Sequence, residues 1–131
     1  MRIIILTILL STGSAWSSIE TNCHQVDGIY KNSKVPLEDL RFQSLVDIFS
    51  FSNAKDFTIK VAGEEMKFNR TSIDVSKNTK MEFERSGTTS SAIVQMDRTP
   101  QAAVRTKSFY GNLSITTGEL GVLTYNFYCT F

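Results

Sequence analysis

Few side chains in this sequence have the types and spacing that catalysis or metal binding requires. The chain contains one histidine, His24, which directly follows Cys23 near the N-terminus. A Ser-His-Asp relay needs a histidine base, and a zinc site usually takes three or four His, Cys or carboxylate ligands. With no second histidine and no Cys-x-x-Cys spacing, the sequence favours neither kind of site.

A pair of carboxylates is the other candidate for chemistry. Glu82 and Glu84 lie two residues apart, which on a strand places both on one face about 6.8 Å apart, within the range of glycosidase carboxyl pairs. Their neighbours Met81 and Phe83 need the buried face, so we expect both glutamates to point into water. No Gly-rich phosphate loop, EF-hand spacing or nucleophile elbow occurs. We therefore predict that the protein is not an enzyme and has no catalytic residue, metal ligand or cofactor.

The two cysteines lie near opposite ends of the sequence, at Cys23 and Cys129. In an exported chain such a pair predicts one disulfide bond, because oxidising compartments form and keep these bonds. A bridge brings the two Cα atoms to roughly 4.4–6.8 Å, so the first and last parts of the domain would be neighbours. Two free or intermolecular thiols are the alternative.

The first segment has the layout of a secretory signal peptide. Arg2 precedes an apolar run at 3–10, and small residues dominate 11–17. We predict a signal peptide over 1–17, cut after Ser17 or alternatively after Ala15, and a single domain over 18–131. A transmembrane helix needs about 20 apolar residues, so no transmembrane segment is expected in the mature chain. The predicted location is secreted, either extracellular or in a bacterial periplasm.

Size and charge restrict the remaining possibilities. The 131 residues are 41% apolar and carry 14 basic against 13 acidic side chains. That length fits one domain, and this composition excludes a disordered acidic tail or a coiled coil. Near-neutral charge gives no reason to expect nucleic acid as a partner.

The positioning elements are strands. From Leu45 onward, short runs alternate apolar and polar residues between turn-forming residues, most clearly in the last run from Leu123 to Phe131, and this period of two is typical of half-buried antiparallel strands. We predict an all-β domain: an antiparallel up-and-down meander of about eight strands. A disulfide between its ends favours a closed or partly closed barrel, with a β-sandwich as the alternative.

The region from Val26 to Ser44 is harder to interpret. Residues 27–31 could form a first strand, whereas Pro36 followed by Glu38 and Asp39 suggests the start of one short N-terminal helix. Within this region, Gly28-Ile29-Tyr30 resembles the Gly-x-aromatic start of lipocalin-like barrels.

That resemblance covers three residues and implies an eight-stranded meander that holds a small apolar ligand. The family has Trp where Tyr30 stands, and it packs a basic side chain from the end of the chain on that ring. Here no Arg or Lys follows Lys107.

Two sets of residues are candidates for binding. The first is an exposed loop with a local excess of positive charge, suited to a protein partner: Arg98, Thr99, Pro100, Arg105 and Lys107. The second is an aromatic inner face that is either a filled core or the lining of a pocket: Phe49, Phe57, Phe68, Phe83, Tyr125 and Phe127.

The function expected from these features is a non-catalytic binding module that acts through surface loops on a protein partner, as an inhibitor does. The alternative is a small lipocalin-like carrier of an apolar ligand. Two N-x-Ser/Thr sequons, at Asn69 and Asn112, occur at about the frequency that chance gives. They therefore do not distinguish a eukaryotic secreted protein from a bacterial periplasmic one.

Overall fold

The computed structural model describes residues 17–46 and 51–130. Within them the chain forms nine antiparallel strands and one short helix. The strands are β1 (Ser17–Glu20), β2 (Asn22–Gln25), β3 (Leu37–Val46), β4 (Phe51–Val61), β5 (Glu64–Asp74), β6 (Thr79–Glu84), β7 (Ser91–Met96), β8 (Ser108–Thr117) and β9 (Gly121–Thr130), and the helix is α1 (Pro100–Thr106).

The strands close into an eight-stranded up-and-down barrel. Each strand from β3 to β9 pairs with the next, and β2 pairs with both β9 and β3, which joins the two edges of the meander. The short β1 pairs with the far half of β3 and prolongs the line of β2. The predicted barrel is therefore confirmed, and the sandwich alternative is wrong.

A disulfide bond joins the two strands that close the barrel. Cys23 in β2 and Cys129 in β9 stand directly opposite each other, with their Cα atoms 4.1 Å apart and a sequence separation of 106. The predicted pairing is confirmed. Because the bond crosses the β2–β9 contact, it fixes the two edges of the meander covalently in one register.

Aromatic side chains fill the inside of the barrel. Phe57 stacks on Phe68 at a ring-centroid distance of 4.9 Å and meets Phe83 edge-on at 4.7 Å. Phe42 lies 5.4 Å from Phe57 and 5.5 Å from Phe127, and it also reaches Phe83 on β6 at 6.5 Å and Phe109 on β8 at 6.3 Å, across the interior. Side chains alternate strictly between buried and exposed along β6 and β7, so burial of one face sets the register of each pair.

The short N-terminal helix expected after Pro36 is a strand in the structure. Residues 37–46 form strand β3, which pairs with β4 along its whole length, and Leu40 and Phe42 are buried on one face. The alternation of Leu40 and Phe42 fits a strand, and cross-strand pairing outweighs the weak helix-start signal of Pro36. Residues 27–31 are not a first strand either, because the chain leaves β2 after Gln25.

The helix occurs instead between β7 and β8. Thr99 caps its start by accepting a hydrogen bond from the Ala102 N–H at 3.4 Å, and Pro100 occupies the first helical position, both favourable there. Ala103 is fully buried and anchors the helix to the barrel. In the part of the chain described, no helix is long and apolar enough to cross a bilayer.

Breaking the disulfide should cost much of the stability. Replacing Cys129 with Ser removes a cross-link that closes a loop of more than 100 residues, and we expect the free energy of unfolding to fall by about 2–5 kcal/mol. Urea unfolding of the variant, and of the wild type with and without reductant, measures this. Asn22→Ala, an exposed change on β2, the strand that carries the partner cysteine Cys23, is the control; a midpoint that reduction leaves unchanged would contradict the role of the bond.

Candidate functional site

The connection between β2 and β3 is an extended segment, here called the strap (residues 26–36), that completes the barrel seam. Strand β2 has four residues while β9 has ten, so much of β9 lacks a partner strand on that side. The strap supplies partners: the Val26 N–H donates to the Asn126 carbonyl at 3.0 Å, and the Ser33 N–H donates to the Thr124 carbonyl at 2.8 Å. The Ser33 hydroxyl accepts from the Thr124 N–H at 2.8 Å.

Asn126 is the centre of this attachment. Its side-chain amide donates to the Tyr30 carbonyl and accepts from the Tyr30 N–H at 3.4 Å, while its backbone N–H donates to Oδ1 of Asn32 at 2.7 Å. The strap lies so close that a Cβ on Gly28 would come within 2.5 Å of the Asn126 Cγ. Glycine at 28 is therefore a packing requirement, and only 5% of Asn126 is exposed.

Tyr125 fixes the C-terminal end of the strap. The Tyr125 hydroxyl donates to the Val35 carbonyl at 2.6 Å. Burial raises the pKa of this phenol above its ordinary value, because a buried phenolate would lose its hydration. The group thus stays a hydrogen-bond donor throughout the physiological pH range.

Two side chains project outward from this fixed backbone. Ile29 is 91% exposed and Tyr30 is 51% exposed, although the residues on either side of them bond to β9. The strap therefore presents an isoleucine and a tyrosine to the surroundings on a backbone that is held in place.

A groove with a volume of about 630 Å³ runs beside the strap on the outside of the barrel. Its floor includes outward-facing side chains that follow one another across four neighbouring strands in register: Asn126, Asn112, Gln95 and Lys80. The strap forms one wall and the turn at 74–78 forms the other. Its volume lies within the range of 300–1,000 Å³ typical of ligand sites.

A row of aromatic side chains borders the groove. His24, Tyr128 and Tyr110 stand opposite one another on β2, β9 and β8. The Tyr110 and Tyr128 rings lie 4.5 Å apart, and His24 meets Tyr128 edge-on at 5.7 Å. Tyr110 also lines the groove and is 50% exposed.

Charged residues are segregated to one half of the barrel. The neighbouring strands β2, β9, β8 and β7 contain no Asp, Glu, Lys or Arg, whereas β3, β4, β5 and β6 each contain at least three. The outer surface of the first four strands, here called the neutral face, consists of hydroxyl, amide and aromatic groups with a few aliphatic ones. The strap lies against this face, and three of its strands (β9, β8 and β7) supply the floor of the groove next to Lys80 of β6.

Most of the charges at the edge of the groove have partners within the protein. The backbone N–H of Ser76 donates to Asp74 at 2.9 Å; this bond, with the Ser76 hydroxyl and the nearby Lys80, lowers the pKa of Asp74. Asp97 accepts two hydrogen bonds from Arg98, at 3.1 and 3.2 Å, and one from the Tyr110 N–H at 3.0 Å. The edge therefore carries compensated charge.

Comparison of the chain with protein-family models, with curated proteins and with solved structures finds no match. Among the residues described, no group of three or more His, Cys, Asp or Glu side chains could hold a metal ion. Glu82 and Glu84 are exposed on β6, as expected, and His24 is exposed on β2.

The residues predicted to form a partner-binding loop lie together, but they belong to a helix and its ends. They flank and form α1, so the expected exposed loop is wrong, because the Thr99 cap and Pro100 start a helix. Arg98 also donates to the Thr106 hydroxyl at 2.7 Å and to the Ser108 carbonyl at 3.3 Å, which fixes it within the protein. Arg105 and Lys107 are exposed, and a binding role for them stays a prediction.

The predicted aromatic set lies inside the barrel. Phe57, Phe68, Phe83, Tyr125 and Phe127 are all buried to within 1% of complete, and Phe49 lies outside the described residues. Only Phe127 of the five also borders the outer groove. Asn126, Asn112 and Gln95 were not predicted as site residues; the sequence signal that could have found them is the absence of charged residues from 91–96, 108–117 and 121–130.

Removing the Asn126 side chain should release the strap. Asn126→Ala deletes the bonds to Tyr30 and leaves the part-buried N–H and carbonyl of that residue without these partners, so we expect a loss of about 1–3 kcal/mol of stability and faster hydrogen exchange at the strap amides. Urea unfolding and hydrogen exchange measure the two effects. Asn112→Ala in the same row is the control and should change stability by less than about 0.5 kcal/mol; equal exchange in both variants would contradict this role of Asn126.

Proposed function

We propose that this protein is an exported, non-catalytic binding module that engages a protein partner through the strap, with Ile29 and Tyr30 as its anchors. The observation that carries the proposal is the near-complete exposure of Ile29 on a backbone that Asn126 holds in place. Export is supported by the disulfide, since such bonds persist in oxidising compartments.

The physical argument rests on pre-organisation. Burial of one large aliphatic side chain contributes about 1.5–3 kcal/mol, but binding normally loses part of this in ordering a flexible loop. The strap is already ordered by its hydrogen bonds to β9. An apolar cleft on a partner would therefore gain most of the burial energy of Ile29.

The surroundings of Ile29 suit a protein interface. The cores of such interfaces are poor in charge and rich in aromatic residues, and the residues that dominate affinity are often Tyr. Tyr30 lies on the strap, and Tyr110 lines the groove beside it and packs against Tyr128, on strands that carry no charge. This composition supports the strap, in place of the segment 98–107, as the contact surface.

The aromatic interior argues against the second expectation, a carrier of a small apolar ligand. Neighbouring rings meet at centroid distances of 4.7–5.5 Å, and Phe42 also lies 6.5 Å from Phe83 and 6.3 Å from Phe109, which stand three strands away from it on either side. All these distances fall in the range of packed aromatic pairs. A ligand inside the barrel would have to displace several of these side chains.

Replacement of Ile29 tests the proposal. We expect the immobilised mature protein to retain a partner from the native extracellular or periplasmic fraction, and Ile29→Asp to weaken that binding at least tenfold, because a carboxylate cannot enter an apolar cleft without a large desolvation cost. Val122→Asp is the matched control, since Val122 is 62% exposed and lies on β9 away from the strap.

The contrary outcomes are distinct. A partner that binds wild type and Ile29→Asp equally well would contradict the strap as the contact surface. Saturable uptake of an apolar fluorescent probe that fatty acids displace would support the carrier instead.

A further inference from the structure

We propose that the groove beside the strap, whose wall includes Ile29 and Tyr30, binds a neutral oligosaccharide, a ligand of a different class from the protein partner. The inference does not depend on the proposed function, because it rests on the floor of the groove and on Tyr110. It would give the neutral face a second ligand of defined chemistry.

The floor carries hydrogen-bonding groups that the protein itself leaves unused. The side chains of Asn112 and Gln95 stand side by side on β8 and β7 and make no hydrogen bond within the described residues. Each amide both donates and accepts, as each sugar hydroxyl does. Asn126, next in the same row, is fully used by the strap, so the unused amides are confined to the open part of the groove.

Tyr110 supplies the apolar surface that a sugar ring also needs. Its ring packs against Tyr128 at 4.5 Å, and its backbone N–H is tied to Asp97 at 3.0 Å, so the ring is held in position while half of the residue stays exposed. The carbon-bound hydrogens of a sugar ring form an apolar surface that packs on an aromatic face. Amides on the floor and a tyrosine at the border thus meet the two kinds of surface that a sugar presents.

Charge selects a neutral ligand over an ionic one. The acidic side chains that line the groove are Asp27, Asp74 and Asp97, and the basic ones are Lys77 and Lys80. Arg98, bonded to Asp97, makes the two signs equal in number. With no net charge and no charged group on β7, β8 or β9, the groove offers an anion or a cation no electrostatic advantage.

Affinity electrophoresis in native gels tests the inference. The probes are four soluble neutral polysaccharides (a mixed-linkage β-glucan, xylan, galactomannan and pullulan) and two anionic ones (alginate and dextran sulfate). The mature protein is produced in a bacterial host, which leaves the Asn112 sequon unmodified. We expect at least one neutral polysaccharide to retard the wild type and neither anionic one to do so.

The variants identify the groove as the site. Gln95→Ala and Tyr110→Ala should each raise the dissociation constant about tenfold or more. Ser114→Ala, two residues from Asn112 on the same face of β8 and outside the groove, should bind as wild type does. Among residues 17–46 and 51–130 the Gln95 side chain has no hydrogen-bond partner, so its variant tests binding even if the change at Tyr110 destabilises the fold.

Several results would overturn the inference. These are no retardation by any of the four neutral polysaccharides, retardation by the anionic ones alone, or retardation that Gln95→Ala leaves unchanged. Failure here is separable from failure of the strap proposal, because Gln95→Ala should still retain the protein partner that Ile29→Asp loses.

Discussion

The contact between β2 and β9 is the constraint on which the rest of the structure depends. An up-and-down meander leaves two open edges, and exposed edges are costly because their backbone groups invite pairing with other chains. Here the first and last strands satisfy each other, and the Cys23–Cys129 bond holds them in register. Alternation then directs the large phenylalanines inward, where they pack across the interior.

The short length of β2 connects this constraint to the proposed function. A four-residue strand cannot satisfy a ten-residue partner, so an irregular segment must supply the missing hydrogen bonds. An irregular segment can turn two consecutive side chains outward, which a regular strand cannot, because its side chains alternate between the two faces of the sheet. The hydrogen bonds between the strap and β9 that complete the barrel wall therefore also hold Ile29 and Tyr30 in exposed positions.

Much of the fold follows from local patterns, while the site does not. Residue alternation predicts the strands, and two cysteines in an exported chain predict the closing bond. The predicted helix near Pro36 is wrong because the pairing between β3 and β4 is a long-range interaction, which a short helix-start signal in the sequence does not reveal. In the sequence, Gly28 belongs to the Gly-x-aromatic motif. The structure shows a different reason for glycine at this position: the strap approaches Asn126 too closely for any Cβ. Asn126 and Gly28 are 98 residues apart, and no local pattern links them.

The uneven distribution of ionic side chains around the barrel has a kinetic consequence. Partners that approach a strongly charged surface are drawn in by its field and associate faster as salt is diluted. Encounters on the side formed by β7, β8, β9 and β2 lack that attraction, so they would proceed at the unaided rate of about 10⁵–10⁶ M⁻¹s⁻¹. Complexes formed there would owe their strength to slow dissociation and would tolerate wide changes in ionic strength.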